Sequence, residues 1–319
     1  VPKGTLAALV LILHALCATA GADLLTPLPP KVKKPHHGMQ MVIGPVDVPH
    51  GSEITVCTYF KNPAKKDMAV NHVKIEVVGG SHHIHLYRPV DPNMSVDDHA
   101  EVCNFALNFD QWQLILASQN VSLDWKLPRG IAYKFHAGEQ LQAQTHFVDN
   151  GLLQTPVPGW ATFNLYAMNK HKVKSFAGSL FGQDRDVDVP PHSTATATTR
   201  CVFPHPVKLL ALTGHYHFRG KHFSVNSWDG TTTGDQLYSF DGYTEPYFER
   251  FDGKFQPEVP GLEWTCEYEN DTDQEFKFGP FTDKNEHCNL FGFYYPSEGD
   301  QEFLTCVKQN DVTTVTVRH

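Results

Sequence analysis

Residues Ile54–Phe60 read Ile-Thr-Val-Cys-Thr-Tyr-Phe, and Val73–Val77 read Val-Lys-Ile-Glu-Val. In the first, Ile54, Val56, Thr58 and Phe60 alternate with Thr55, Cys57 and Tyr59. In the second, Val73, Ile75 and Val77 alternate with Lys74 and Glu76. A period of two places each set on one face of a strand. Similar short runs recur at 141–147, 161–168, 207–213, 222–228, 262–268, 289–295 and 313–317, with Gly, Pro, Asn and Asp between them. Many short strands and few helical periods predict an all-β sandwich or barrel class. Asp110 to Ser118 reads equally as a helical turn or as another strand.

The chain has 319 residues, 41 % hydrophobic and 19 % charged, which excludes a disordered or collagen-like polymer. That length predicts two domains. The boundary is placed near residue 172, followed by a polar, proline-bearing stretch, Gln183 to Thr199. No internal repeat is evident. The net charge is −9 and no basic block offsets it, which argues against nucleic acid as the main partner. No G-x-S-x-G, G-x-G-x-x-G or phosphate loop occurs, so a serine hydrolase or nucleotide enzyme is not expected.

Lys3, the apolar run Leu6–Leu16, and then Ala18, Ala20, Gly21 and Ala22 read as a secretory signal peptide over 1–22, the alternative being an uncleaved anchor. The run is too short to span a bilayer, and no later one is long and apolar enough. The protein is therefore expected to be secreted or lumenal, with an extended, mobile N-terminal segment over 23–43 that includes the Pro/Lys-rich stretch Thr26–Pro35. Cys17 leaves with the signal. Cys57, Cys103, Cys201, Cys266, Cys288 and Cys306 remain, an even set that suits disulfides in an oxidising compartment. Spacing does not choose among their pairings. Sequons begin at Asn93, Asn120 and Asn270.

Histidine is the unusual residue: 19, against 7 cysteines and 5 methionines. Neutral imidazole is a common metal ligand. In Thr213-Gly214-His215-Tyr216-His217, the two histidines share a strand face and can converge on one ion. The alternative is a pair on a solvated face. In Ser81-His82-His83-Ile84-His85, His82 and His83 point to opposite faces unless a strand end or bulge intervenes. His85 shares the face of His83 and competes with it. His146 lies in Gln142-Ala143-Gln144-Thr145-His146, and alone reads as an ordinary core or surface histidine. His222 is either a spare ligand or simply exposed. His287 stands beside Cys288.

Taken in order, these pieces resemble a known family. A His-His pair, a single His in L-Q-x-x-x-H, an H-x-H pair and a ligand next to a Cys follow one another. Gaps of 63, 69 and 70 residues separate His83 from His146, His146 from His215, and His217 from His287. SHHIHLYRP, VPPH before Cys201, and NEHCNLFGFYYP add to the likeness. The series resembles the copper type II, ascorbate-dependent monooxygenases, the family of peptidylglycine α-hydroxylating and dopamine β-monooxygenases, from about Gly44 to Cys306. The resemblance implies two consecutive antiparallel jelly-roll β-sandwich domains, 44–172 and 173–319, disulfide-braced, each holding one copper, with a water-filled cleft between them. It implies an electron-relay copper on His82, His83 and His146, with Gln144 just behind the ligands. It implies an oxygen-binding copper on His215, His217 and residue 287. It also implies the pairs Cys57–Cys103, Cys201–Cys306 and Cys266–Cys288, the last holding residue 287 in place.

The sequence departs from the family at three points. His287 stands where the family has a methionine, and imidazole favours Cu(II) more than a thioether does. Thr213 and Phe291 stand where peptide-amidating members carry an arginine and a tyrosine, while the asparagine, Asn289, remains. Without the arginine, a C-terminal peptide glycine loses the strong part of its recognition. The expected activity is hydroxylation of an activated C–H bond of a small-molecule or peptide-like substrate, using O2 and a reductant such as ascorbate. The alternatives are a non-catalytic copper-binding or electron-transfer protein on the same scaffold, and a zinc protein.

Overall fold

The structure, a computed structural model, describes residues 31–79, 81–103, 109–149, 157–243, 246–251, 256–299 and 301–319, except the side chains of 81, 82 and 157. The expected signal peptide, 1–22, lies outside them.

The first half holds β1 (Gly38–Val48), β2 (Glu53–Lys61), β3 (Met68–Val78), β4 (Ser81–Pro89), β5 (His99–Val102), β6 (Trp112–Ser118), β7 (Ser122–Lys126), β8 (Ile131–Phe135), β9 (Gln140–Val148), β10 (Val157–Met168) and β11 (Ser175–Phe176). The second holds β12 (Gly178–Asp184), β13 (Asp188–Val189), β14 (Ser193–His215), β15 (Gly220–Trp228), β16 (Thr233–Asp241), β17 (Glu249–Arg250), β18 (Glu258–Asn270), β19 (Phe276–Lys277), β20 (Cys288–Tyr295), β21 (Phe303–Gln309) and β22 (Val312–Arg318). The described residues contain one further element, a 3-10 turn at Lys170–Lys172. The chain is all-β.

The first half forms two sheets, ordered β1-β10-β3-β8-β11, with β7 on β3, and β5-β2-β9-β4-β6. Strands β1 to β4 alternate between the sheets, and β1 lies beside β10. That is jelly-roll order, with β1-β10-β3-β8 over β2-β9-β4-β6. Val73 and Ile75 of β3, with Phe163 of β10, share a core with Ile84 and Leu86 of β4. Strand β1 starts six residues ahead of the domain start placed at Gly44, inside the segment expected to be loose. The residues before it are tied down too. Gln40 donates to the Val32 carbonyl at 2.9 Å and Asn164 to that of Lys33 at 2.8 Å.

The second half differs in form. Nine strands make one sheet, β16-β15-β18-β14-β20-β12-β21-β22, with β17 on β14. The 23-residue β14 pairs with β18 along its first part and with β20 along its last. The sheet curls back on itself. A side chain on Gly182 of β12 would meet the Trp264 ring of β18 at 2.7 Å, although two strands separate them in the sheet. Two ladders are parallel, β11 with β8 and β12 with β21, and the rest are antiparallel.

The cysteines pair as Cys57–Cys103, Cys201–Cys306 and Cys266–Cys288. Each such closure typically adds about 2–4 kcal/mol. Three disulfides fit an extracellular protein, and no helix among the described residues is long and apolar enough to cross a membrane. The Asn270 amide is buried and donates to the carbonyls of Val189, Pro190 and Gln274, so this sequon offers no acceptor in the folded chain.

The halves do not stand apart. Phe181, Leu210, Phe291 and Phe293 of the second half belong to the same buried cluster as Trp125 and Ile115 of the first. Trp125 packs against Phe293 and Phe248 with ring centroids 5.3 and 5.1 Å away. An apolar seam thus joins the halves over part of their contact.

Candidate metal centre

Strand β14 ends at His215, and the chain turns through Tyr216 and His217 into β15. Gly214 is required there, because a Cβ would meet the Phe223 ring at 2.6 Å. His287 precedes β20, and Cys288 bonds to Cys266 of β18. The three histidines meet. Their ligand nitrogens all lie within 4.8 Å of one another, and the rings of His217 and His287 are 3.9 Å apart. His215 and His217 are buried.

Their surroundings set the donor atoms. The Nδ1 of His217 lies 2.9 Å from the Asn285 carbonyl. It donates there, which leaves the lone pair on Nε2, as a second-layer partner does for a metal-bound histidine. Burial holds the His217 pKa down at about 4, so the ring is neutral and able to ligate at pH 7. Three neutral imidazoles fit copper, and equally zinc.

Glu286 joins the two ligand-bearing segments. Its carboxylate accepts from the backbone N–H of His217 at 2.8 Å and of Arg219 at 2.7 Å. Burial pushes its pKa up to about 7, opposed by those N–H groups. The sequence signal was only its place before His287. A Glu286→Ala change orphans both donors, at about 1–3 kcal/mol for each. It is expected to lower apo-protein stability by that order, and to weaken metal binding at His215/His217/His287 at least tenfold. Denaturant unfolding with a parallel metal titration reads both.

The first half supplies the opposite wall. The β4–β9 register shifts between Ser81 and His83, which is the irregularity that two adjacent histidines need. His82 lies on this strand, but its side chain is outside the described residues. The His83 ring lies 4.9 Å from that of His146 and 4.6 Å from that of His85. Nε2 of His146 faces the Glu53 carboxylate at 3.1 Å, so a neutral His146 carries its lone pair on Nδ1. The same Glu53 oxygen accepts from the Thr282 hydroxyl of the other half at 3.1 Å. Nothing local in the sequence pointed to Glu53.

The remaining residues separate cleanly. His85 is buried and both its nitrogens are engaged, Nδ1 with Tyr87 at 3.0 Å and Nε2 with Gln119 at 3.3 Å. Burial depresses its pKa to about 3. It stacks on His83 and lines the cavity beside it. Gln144 pairs with His85 across β4–β9 and lines the cavity. His222 is bound to Asp241 at 2.7 Å and lies outside the cavity lining. Asn289 and Phe291 line the cavity, and Asn289 accepts from Gln183 at 3.2 Å. Thr213 is fully buried and is not among the residues that line it.

Both histidine groups open into one cavity of about 140 Å³. The His83 and His215 rings meet edge to face, with centroids 5.7 Å apart. Phe278, Pro280 and Phe291 complete the wall, and no Lys, Arg, Asp or Glu is among the lining residues described. The Arg185 guanidinium stops at the Gln183 amide oxygen, 2.8 Å away.

The chain matches no family model and no curated protein. Among solved structures, 47 chains match. The crystal structure of the STIV MCP is 8 % identical, covering 81 % of this chain and 97 % of that one, with a TM-score of 0.31. PBCV-1 VP54, fitted into a reconstruction of the virophage Sputnik, is 10 % identical over 87 % and 95 %, with a TM-score of 0.25. Allantoicase from Saccharomyces cerevisiae is 8 % identical over 72 % and 74 %, with a TM-score of 0.21. Likeness at this level carries no argument about this chain.

Proposed function

We propose that the chain is a secreted copper-dependent monooxygenase that hydroxylates an activated C–H bond, using O2 and an external reductant such as ascorbate. The observation that carries this reading is the convergence of His215, His217 and His287 on one point, across a single cavity from His83 and His146. The triad would hold one copper, and His83 and His146 with His82 a second. Copper bound there supplies the one-electron redox chemistry that the side chains lack. The protein's own part is to fix imidazole tautomers through Asn285 and Glu53, and to keep water from between the His83 and His215 rings. No charged side chain is among the described lining residues, so apart from the metal itself a charged substrate finds no counter-ion there, which favours an uncharged one.

A non-catalytic copper or electron-transfer protein is the second reading. His287 favours it, because three imidazoles stabilise Cu(II) against reduction. Turnover under ¹⁸O2 with ascorbate separates the two. The expected result is one ¹⁸O atom in the product of an uncharged C–H substrate and the other in water, with two electrons drawn from ascorbate per product, and loss of both in His215→Ala. If reduced, copper-loaded protein incorporates no label from any substrate in a panel, the second reading stands. Zinc that supports activity where copper does not would remove both.

A further inference from the structure

Outside the residues that line this cavity, the β14–β18 ladder breaks between Val202 and Val207. The break is the segment Phe203-Pro204-His205-Pro206. The prolines on both sides of His205 have no N–H to give to any ladder, and the ring of His205 faces Glu298 and Glu302. There Nε2 of His205 lies 3.1 and 3.3 Å from the two carboxylate oxygens of Glu302, and 3.8 Å from Glu298 Oε1. Glu302 has a fully buried side chain, while His205 is 18 % and Glu298 60 % exposed. The group is open to solvent on one side only.

The geometry points to a divalent-cation site of zinc type on His205, Glu298 and Glu302, separate from the histidine cavity. Two ligands about 2.0–2.1 Å from a tetrahedral ion stand about 3.3–3.4 Å from each other. The observed spacings bracket that value, and all ligand atoms of the trio lie within 4.8 Å of one another. The carboxylate of Glu302 is already oriented. The Tyr294 hydroxyl donates to Oε1 and the Glu298 N–H to Oε2, both at 2.6 Å, which leaves one lone pair on each oxygen facing His205. The other ring nitrogen, Nδ1, lies 3.3 Å from the Pro206 carbonyl. A neutral imidazole has one N–H and cannot answer acceptors on both sides. Protonating the ring answers both but leaves two carboxylates on one positive charge. A divalent ion answers the lone pairs and balances the charge. His319, whose Nδ1 is 4.0 Å from Glu302, is the nearest further donor, and water can take the last position. The mixed nitrogen and oxygen donors suit zinc better than Cu(I) or calcium.

The test is equilibrium dialysis of the metal-free full chain against Zn²⁺, with bound metal counted by elemental analysis. His205→Ala is expected to bind one equivalent less than the unmodified protein. Glu298→Gln, on an exposed side chain with little bearing on folding, is expected to keep the count and weaken that equivalent at least tenfold. His215→Ala should remove a different equivalent, and the double variant both, so the result does not depend on what the main centre does. If His205→Ala and Glu298→Gln bind zinc as the unmodified chain does, the trio is a buried ion pair and the proposal fails.

Discussion

A His215→Ala chain, loaded with copper and desalted, is expected to retain one ion where the unmodified chain retains two. His215 is a candidate ligand that the fold fixes firmly. It ends the ladder of β14 against β20, paired with Asn289, and it is 5 % exposed. Its removal leaves His217 and His287, and two imidazoles do not make a closed site for copper or zinc. The loss in affinity should reach about 100-fold or more, since even second-layer changes cost 10–100-fold. The other group, with His83 and His146, keeps its tautomer through Glu53 and should keep its ion. Elemental analysis gives the count, and the melting temperature of the metal-free variant shows whether the fold survived. Two coppers retained by a folded variant would mean that the triad is not the ligand set.

The strands that build this site were legible where one face is wet. Alternation marks β2 and β3, but the shared strand face expected for His215 and His217 gives way to a strand end, since β14 stops at His215 and His217 reaches the site from the turn that follows. Alternation fails at Trp112–Ser118, where every residue is buried and no period remains to separate strand from helix. It fails differently at Ser193–Thr199. That stretch looks like linker because its residues are small and polar, yet it is the first part of β14, paired with Asn270–Trp264 of β18. The ligands stood out because histidine at fixed spacings is rare. Their partners did not. Glu53 lies 93 residues from His146, and Glu286 lies 69 from His217, so only the folded chain reveals either contact. The silence of His85 has the same origin. It has the right spacing to compete with His83, but Tyr87 and Gln119 take its nitrogens. The nearness of the two histidine groups is a property of the seam, where Phe291 and Phe293 meet residues from the other half.

That seam sets the second large effect. Trp125→Ala should lower stability by about 3–5 kcal/mol, the usual cost of emptying a large aromatic site in a core. Trp125 is fully buried on β7 and touches Phe248 and Phe293 across the seam, so the void opens between the halves rather than inside either one. Each half keeps its own disulfides, Cys57–Cys103 in the first and the other two in the second. Calorimetry should therefore show one transition in the unmodified chain and two in the variant, as the coupling through the shared core is lost. Trp125→Phe is the control. The indole N–H has no hydrogen-bond partner among the described residues, so phenylalanine removes an unpaired donor while keeping most of the ring contact, and the change should cost well under half as much. The metal sites give a second readout. Because His83 faces His215 only while the seam is closed, Trp125→Ala should also weaken any magnetic or redox interaction between ions held by the two groups, without lowering the copper count. A single transition at an unchanged temperature would show that the halves are joined by something other than this packing.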